Sequence, residues 1–180
     1  MLRSRVIPCL LVHKKGLVKT VKFSNAKYIG DPLNAVKIFN EKEVDELIVL
    51  DIDSTVDSTE PDYSLIQKLA LECRMPLCYG GGVKTVSQAR KIVALGVEKV
   101  ALSSAALANT QLITEISDVI GVQSVVVVVD VKKAFFGGYS IYINNGKKKV
   151  NGDLFVTLKE IEMAGAGEIV INSIDQDGTM

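Results

Sequence analysis

The stretch SVVVVVD, residues 124–130, decides the fold. A run of five valines is apolar on both faces, as a strand buried on both sides of a parallel sheet should be. Similar short runs recur along the chain: VIPCLLV (6–12), ELIVLD (46–51), PLCYG (76–80), KVALSS (99–104) and EIVINS (168–173). The chain is therefore predicted to form a sheet whose strands are covered on both faces.

Helical patterns separate these runs. DPLNAVKIFNEKEV (31–44) begins with Asp31 as an N-cap and Pro32 at the first helical position. The others are DYSLIQKLALECR (62–74), TVSQARKIVALG (85–96), NTQLITEISDVIG (109–121) and DLFVTLKEIEMAG (153–165). Strands alternating with helices over short connections predict parallel βαβ units. An insertion after the fifth strand, GGYSIYINNGKKK (137–149), alternates around Asn145-Gly146 and predicts a β-hairpin.

Two segments look like copies of each other. DELIVLDIDST (45–55) and GEIVINSIDQDGT (167–179) are offset by about 122 residues, which suggests a duplicated half-barrel with its boundary near residue 120. We favour a (βα)8 TIM-type barrel over an open two-layer α/β sheet, because functional-looking residues sit at the carboxyl end of every strand. Six strands and five helices predict an incomplete barrel, a single domain over residues 1–180 that is truncated at the C-terminus.

The composition excludes several classes of partner. The 180 residues are 48% hydrophobic, and 21 basic residues balance 21 acidic ones, so we expect neither nucleic-acid nor membrane binding. Apolar runs are too short for a membrane span. Cys9, Cys73 and Cys78 are few and odd in number, which favours buried free thiols and a cytoplasmic location.

Three strand ends carry loops that suit phosphate. YGGGVKT (79–85) places Gly81 and Gly82 before a helix, where backbone N–H groups and the helix dipole can hold an anion. Ser103 and Ser104 follow the next strand and could clamp the same phosphate. Asp177 and Gly178, in SIDQDGT (173–179), could contribute to a second phosphate site. For each loop alone, a plain helix-capping turn is the alternative.

Acids at strand ends are the candidates for chemistry. Asp130 follows five valines, where a carboxylate is costly unless it is used or paired, so it is a candidate general acid or base. The alternative is a structural cap or an ion pair. Asp51 ends its strand in the same way. Lys19 could reach a phosphate or Asp51, or it could be a solvated surface lysine. His13 is interpreted as a loop residue without a catalytic role.

The combination of RVIPCL, NEKEVDELIVLDID, YGGGVKTV, SVVVVVD, GAGEI and DQDGT resembles the cyclase subunit of imidazole glycerol phosphate synthase, over the whole chain. The resemblance implies a (βα)8 barrel that needs no metal or organic cofactor. It also implies a glutaminase partner that supplies ammonia. The ammonia would be added to phosphoribulosyl formimino aminoimidazole carboxamide ribonucleotide, giving imidazole glycerol phosphate and aminoimidazole carboxamide ribonucleotide.

The resemblance also assigns residues. Asp130 matches the family's catalytic acid, and Gly82, Ser103 and Ser104 match a phosphate site. Lys19 matches a loop lysine of the family, and Asp51 matches an acid at the barrel mouth. Four charged residues match a ring at the bottom of the barrel that is thought to gate ammonia entry: Arg5, Glu46, Lys99 and Glu168.

Leu11 departs from the family pattern, because it occupies the place of a second catalytic aspartate and cannot exchange a proton. LLVHKKGLVKTVKF and YGGGVKT resemble a divergent branch associated with bacterial surface polysaccharides. In that branch, ammonia is thought to pass to a third enzyme that forms an amidine on an amino sugar. One alternative is a non-catalytic scaffold that conducts ammonia, activates the glutaminase and docks the sugar-modifying enzyme. A more distant alternative is a phosphosugar isomerase, which would have no use for the charge ring.

Overall fold

The computed structural model describes residues 4–135 and 137–179. Within them the chain forms one mixed sheet of ten strands: β1 Cys9–His13, β2 Gly16–Val21, β3 Ser24–Gly30, β4 Leu47–Asp51, β5 Leu77–Gly80, β6 Lys99–Leu102, β7 Val125–Lys133, β8 Tyr139–Ile143, β9 Lys148–Val150 and β10 Glu168–Ser173. Over the same residues there are six α-helices: α1 Pro32–Glu41, α2 Tyr63–Glu72, α3 Val86–Ala94, α4 Ser104–Ala108, α5 Gln111–Ile120 and α6 Leu154–Met163. No helix in this described part has the length and apolar character needed to cross a bilayer.

Six of the strands run parallel, as the alternation predicts. They lie side by side in the order β1-β4-β5-β6-β7-β10. In a flat sheet, five spacings of about 4.8 Å would separate β1 from β10 by roughly 24 Å. Yet Arg5, just before β1, donates to Glu168 of β10 at 2.6 Å, and Thr20 donates to Asp177 at 2.7 Å. The sheet is therefore rolled like the wall of a barrel.

The central parallel strands, β4 to β7, are largely buried on both faces. On β7, Val125, Val127 and Val129 pack in the large core beneath the helices. The alternate residues, Val126 and Val128, pack in a smaller inner cluster with Ile48, Cys78 and Ala101. Asp130 continues this inner face, so the polar end of the apolar strand points into the rolled sheet.

Local signals account for the helix starts. Asp31 accepts from the backbone N–H of Asn34 ahead of Pro32. Asp62 and Asp153 cap α2 and α6 in the same way. Thr85 and Gln88 form a reciprocal capping box at α3.

The sequence-based count of six strands and five helices is lower than the ten strands and six helices of the described residues. The predicted hairpin is present as β8 and β9, which pair antiparallel. Strands β2 and β3 were not predicted, because the turns that precede them, Lys14-Lys15 before β2 and Lys22-Phe23 before β3, hold positive φ without glycine or asparagine. The short α4 was also not counted.

The three cysteines are free thiols, but they differ in burial. Cys78 is buried in the inner cluster, and Cys73 is half-buried. Cys9 is exposed, so the expectation of burial is wrong there. The reason is that Cys9 lies at the beginning of the edge strand of the parallel set, where fewer neighbours cover it.

Candidate active site

A cavity of about 420 Å³ opens at the carboxyl ends of the parallel strands. Each of these strands, or the loop that follows it, contributes to the lining: Leu11, Asp51, Gly80, Gly81, Gly82, Ser103, Ser104, Asp130 and Asn172. Six of the predicted site residues therefore meet here, with Leu11 beside them, because parallel strands bring their carboxyl ends to one edge.

Asp130 is the buried acid of this cavity. It is 8% exposed, and Asn172 on the neighbouring strand donates to its Oδ1 from Nδ2 at 3.1 Å. Burial raises the pKa of Asp130 to about 6, and the negative charge of Asp177 acts in the same direction, whereas the Asn172 hydrogen bond lowers it. A carboxyl group with this pKa can both give and take a proton near neutral pH.

The glycine loop lies against the loop that follows β4. Gly82 has φ of 72°, and a Cβ there would lie 2.8 Å from the Cβ of Ser54. Its N–H donates to Oγ1 of Thr55 at 3.3 Å. Glycine is therefore required for this close approach, and the loop leads directly into the capped start of α3 beside the cavity.

The two serines differ in their contacts. Ser103 precedes α4 and makes no capping hydrogen bond through its side chain. Ser104 accepts from the backbone N–H of Asn144 at 3.1 Å, which ties the tip of the β8–β9 hairpin to the cavity rim. The Ser104 hydroxyl keeps its own proton for another acceptor.

Asp51 organises the loop after β4. Its carboxylate accepts from the Ser54 hydroxyl at 2.7 Å and from the backbone N–H groups of Asp53 and Ser54 at 2.9 and 3.2 Å. In this structure the loop, rather than Lys19, satisfies the Asp51 carboxylate.

Lys19, Asp177 and Gly178 are not among the described residues that line the cavity. Lys19 is exposed on β2, opposite Lys27. Asp177 accepts from the Thr20 hydroxyl at 2.7 Å and from the Phe23 N–H at 2.9 Å. Gly178, with φ of 64°, packs against the Thr20 carbonyl. Asp177 and Gly178 therefore fasten the loop after β10 to the β2–β3 hairpin.

Leu11 lies on the inner face of β1, in register with Leu50. Both line the cavity, so this wall is apolar where the strands on the other side carry Asp130 and Asn172. The position at which the resemblance implies a second acid thus lies in the cavity itself.

Several lining residues were not predicted. Asn172 gives no signal alone, although its register with Asp130 follows once β7 and β10 are paired. Lys84 follows the glycine loop, and Asn144 and Asn145 form the hairpin tip. Asn145 donates from Nδ2 to the Ile52 carbonyl at 2.7 Å. Only the folded chain brings the hairpin over the cavity.

Four charged side chains form a closed ring at the amino ends of the strands. Arg5 donates to Glu46 at 3.1 Å and to Glu168 at 2.6 Å. Lys99 donates to the same two oxygens, at 2.7 Å to Glu46 and 3.0 Å to Glu168. Two cations thus alternate with two anions, at the four positions that the family resemblance assigns to a ring of charges.

The ring is stabilised by its own pairing. Burial opposes ionisation of Glu168, but hydrogen bonds from Arg5 and Lys99 outweigh it and lower the pKa of this carboxyl. Burial likewise acts to lower the pKa of Lys99, but its hydrogen bonds to Glu46 and Glu168 outweigh burial and raise it. Both shifts favour the charged forms of Glu168 and Lys99.

An apolar layer separates the ring from the cavity. On β6 the inner face carries Lys99 and then Ala101, with Ser103 following the strand. On β10 it carries Glu168, Val170 and Asn172. The layer between the two polar ends is the inner cluster that contains Ala101 and packs against Val170.

Comparison with known proteins gives consistent results. The family model described as "Histidine biosynthesis protein" matches residues 5–180. "Putative imidazole glycerol phosphate synthase subunit hisF3" of Vibrio vulnificus is 60% identical over 100% of this chain and 70% of that protein. "Putative imidazole glycerol phosphate synthase subunit hisF2" of Pseudomonas aeruginosa is 54% identical over 99% of this chain and 71% of that protein. "Imidazole glycerol phosphate synthase subunit HisF" of Lactococcus lactis is 41% identical over 99% of this chain and 70% of that protein.

Proposed function

The chain belongs to the histidine biosynthesis protein family, as a relative of the HisF subunits of imidazole glycerol phosphate synthase, and we propose that it receives ammonia from a glutaminase partner and uses it in the Asp130 cavity. The observation that carries this proposal is the closed ring of Arg5, Glu46, Lys99 and Glu168, which stands across an apolar layer from that cavity. The α/β fold with its rolled sheet is consistent with the TIM barrel of this family.

The ring and the apolar layer together suit passage of neutral ammonia. Four paired charges satisfy one another, so they can part briefly without leaving a lone buried ion. The apolar cluster above them, including Ile48 and Val126, penalises ammonium and other ions much more than NH₃. The ring and the apolar layer together would therefore admit neutral ammonia, which is the form of nitrogen that can act as a nucleophile.

The cavity suits a phosphorylated substrate. The glycine loop and the start of α3 offer backbone N–H groups, Lys84 offers a positive charge, and Ser103 and Ser104 stand on the adjacent strand end. Asp130 supplies an acid–base group. We assign to this cavity phosphoribulosyl formimino aminoimidazole carboxamide ribonucleotide, whose keto carbon accepts ammonia before the imidazole ring closes.

Leu11 favours a second candidate, in which the chain passes ammonia on to a third enzyme that forms an amidine on a surface sugar. The relatives whose printed names include "putative" are 54–60% identical, whereas those named simply as HisF are 38–41% identical. This division is what a divergent branch would give. In the extreme form of this second candidate, the chain is a scaffold that only conducts ammonia and activates the glutaminase.

The ammonia route is tested by Lys99→Met in complex with a glutaminase subunit of imidazole glycerol phosphate synthase. We expect a loss of glutamine-dependent turnover of about tenfold or more, because Glu46 and Glu168 then lose a partner and the ring no longer opens and closes as a unit. Turnover with free ammonium should change little. Lys159→Met, at an exposed lysine of α6, is the matched control. Equal losses with glutamine and with ammonium would refute the route.

Leu11→Asp separates the two candidates. A wild-type chain that converts the ribonucleotide with ammonium salt supports ring closure. A wild-type chain that only stimulates the glutaminase, together with an active Leu11→Asp variant, supports delivery to another enzyme.

A further inference from the structure

His13 is the only histidine of the chain and ends β1 two residues after Leu11. Side chains two apart on a strand share a face, and the rise is about 3.3 Å per residue. The imidazole is therefore attached roughly 7 Å beyond the Leu11 position, toward the open end of the sheet.

Asp53, on the loop after β4, fixes the imidazole. Its Oδ1 lies 2.6 Å from Nδ1 of His13, and its Oδ2 accepts from the backbone N–H of Lys14 at 2.7 Å. Both carboxylate oxygens are thus engaged, and the two side chains are half-buried, at 32% and 28% exposed. A carboxylate on Nδ1 sets the tautomer and leaves Nε2 as the atom that exchanges protons.

The pair lines a second cavity, of about 400 Å³. This cavity adjoins the Asp130 cavity, because the same four residues line both: Thr20, Phe23, Ile52 and Asn145. The hydrogen bond from Asn145 to the Ile52 carbonyl crosses this boundary. A keto carbon held at this boundary would face Asp130 from one cavity and His13 from the other.

We propose that His13, oriented by Asp53, is the second acid–base group of the ammonia-consuming reaction and replaces the carboxylate that Leu11 cannot supply. This inference rests on the proposed function, in its ring-closing form. It assigns His13 as a catalytic residue and Asp53 as a positioning residue.

The proton balance of the first step is complete with these two groups. Ammonia attacks the keto carbon of the ribulosyl chain, a C–N bond forms, and the carbonyl π pair moves to oxygen. Protonated Asp130 gives that oxygen a proton, and Nε2 of His13 takes one from the new ammonium nitrogen. In the second step the imidazolium protonates the leaving hydroxyl, the C–O bond breaks to release water, and the Asp130 carboxylate takes a proton from nitrogen. An imine remains, and both groups return to their starting states.

The test uses the full chain, ammonium chloride and the ribonucleotide. We expect His13→Gln to lower kcat by about 10²–10⁴-fold with a nearly unchanged KM. Asp53→Asn should lower it less, and Asp118→Asn, at an exposed acid of α5, should leave it unchanged. In the His13→Gln background, Leu11→Asp should restore part of the lost turnover.

A second measurement separates catalysis from structure. His13→Ala should regain turnover as free imidazole is added, which a purely structural loss would not do. If the wild type is active and the His13→Gln variant is equally fast, this inference is overturned, whereas ammonia use at Asp130 still stands. A wild type without ammonium-dependent turnover would overturn ring closure, and the role of His13 with it.

Discussion

Asp130 lies on the inner face of β7 with 8% of its surface exposed, where a charge is costly. The folded pKa of Asp130 is about 6, above the ordinary value of 3.8. The protonated form therefore adds to the free energy of unfolding, and this contribution is essentially complete once the pH has fallen to the ordinary value of 3.8. That contribution is lost as the pH rises through about 6. At neutral pH the residue therefore lowers the free energy of unfolding, as expected of a group kept for chemistry.

Asp130→Asn should raise the free energy of unfolding at pH 8 by about 1–3 kcal/mol, because it removes the buried charge and keeps an oxygen for Asn172. The gain should vanish near pH 4. Urea unfolding at pH 4, 6 and 8 measures it, with Asp118→Asn as the exposed control. An equal gain at all three pH values would mean that the charge of Asp130 is not the cause.

Single residues were predictable where the local sequence was anomalous. An acid after five valines pointed to Asp130, whereas Leu11 was noted because the family resemblance implies an acid at its position. His13 was interpreted as a loop residue, but it ends β1 and contacts Asp53, which is 40 residues away. Contacts of this length have no local signal, and the same is true of Asn172 beside Asp130.

At the scale of elements, α3 shows how a helix start shapes the cavity. The Thr85 hydroxyl accepts from the Gln88 N–H at 3.2 Å, and Oε1 of Gln88 accepts from the N–H groups of Lys84 and Thr85 at 2.7 and 3.1 Å. Nε2 of Gln88 donates to Glu60 at 2.8 Å. The capping box thereby fixes Lys84 and the glycine loop against the cavity.

Thr85→Ala should lower the free energy of unfolding by about 1 kcal/mol, because the Gln88 N–H loses its partner. Thr85→Ser keeps the hydroxyl and should lose only a few tenths of that. Thermal or urea unfolding of both variants measures the difference. Equal losses in the two would show that the threonine methyl, rather than the cap, stabilises this end of α3.

Elements with strong periodicity or turn chemistry were predicted. The parallel strands, the five longer helices and the Asn145-Gly146 hairpin followed from apolar runs, caps and a turn signal. The β2–β3 hairpin did not, because β3 is mostly exposed and the turns before β2 and β3 use lysine and phenylalanine at positive φ. Pairing with β1 and the Asp177 contacts hold it instead.

At the scale of the whole molecule, the rolled sheet places two polar sites at opposite ends of one apolar interior. The ring is assembled from residues separated by up to 163 positions, since Arg5 pairs with Glu168. The sequence indicated each charge only through a family resemblance, and their mutual contacts required the curvature of the sheet. The function proposed here depends on that arrangement more than on any single residue.

Its most direct test is the source of the nitrogen in the product. The complex of this chain with a glutaminase subunit would be given amide-¹⁵N glutamine, the ribonucleotide and unlabelled ammonium, well below the ammonium concentration that saturates turnover. We predict that the product carries almost only ¹⁵N, because ammonia passes through the charge ring without mixing with solvent. A product whose ¹⁵N fraction equals that of the bulk ammonia pool would contradict the account.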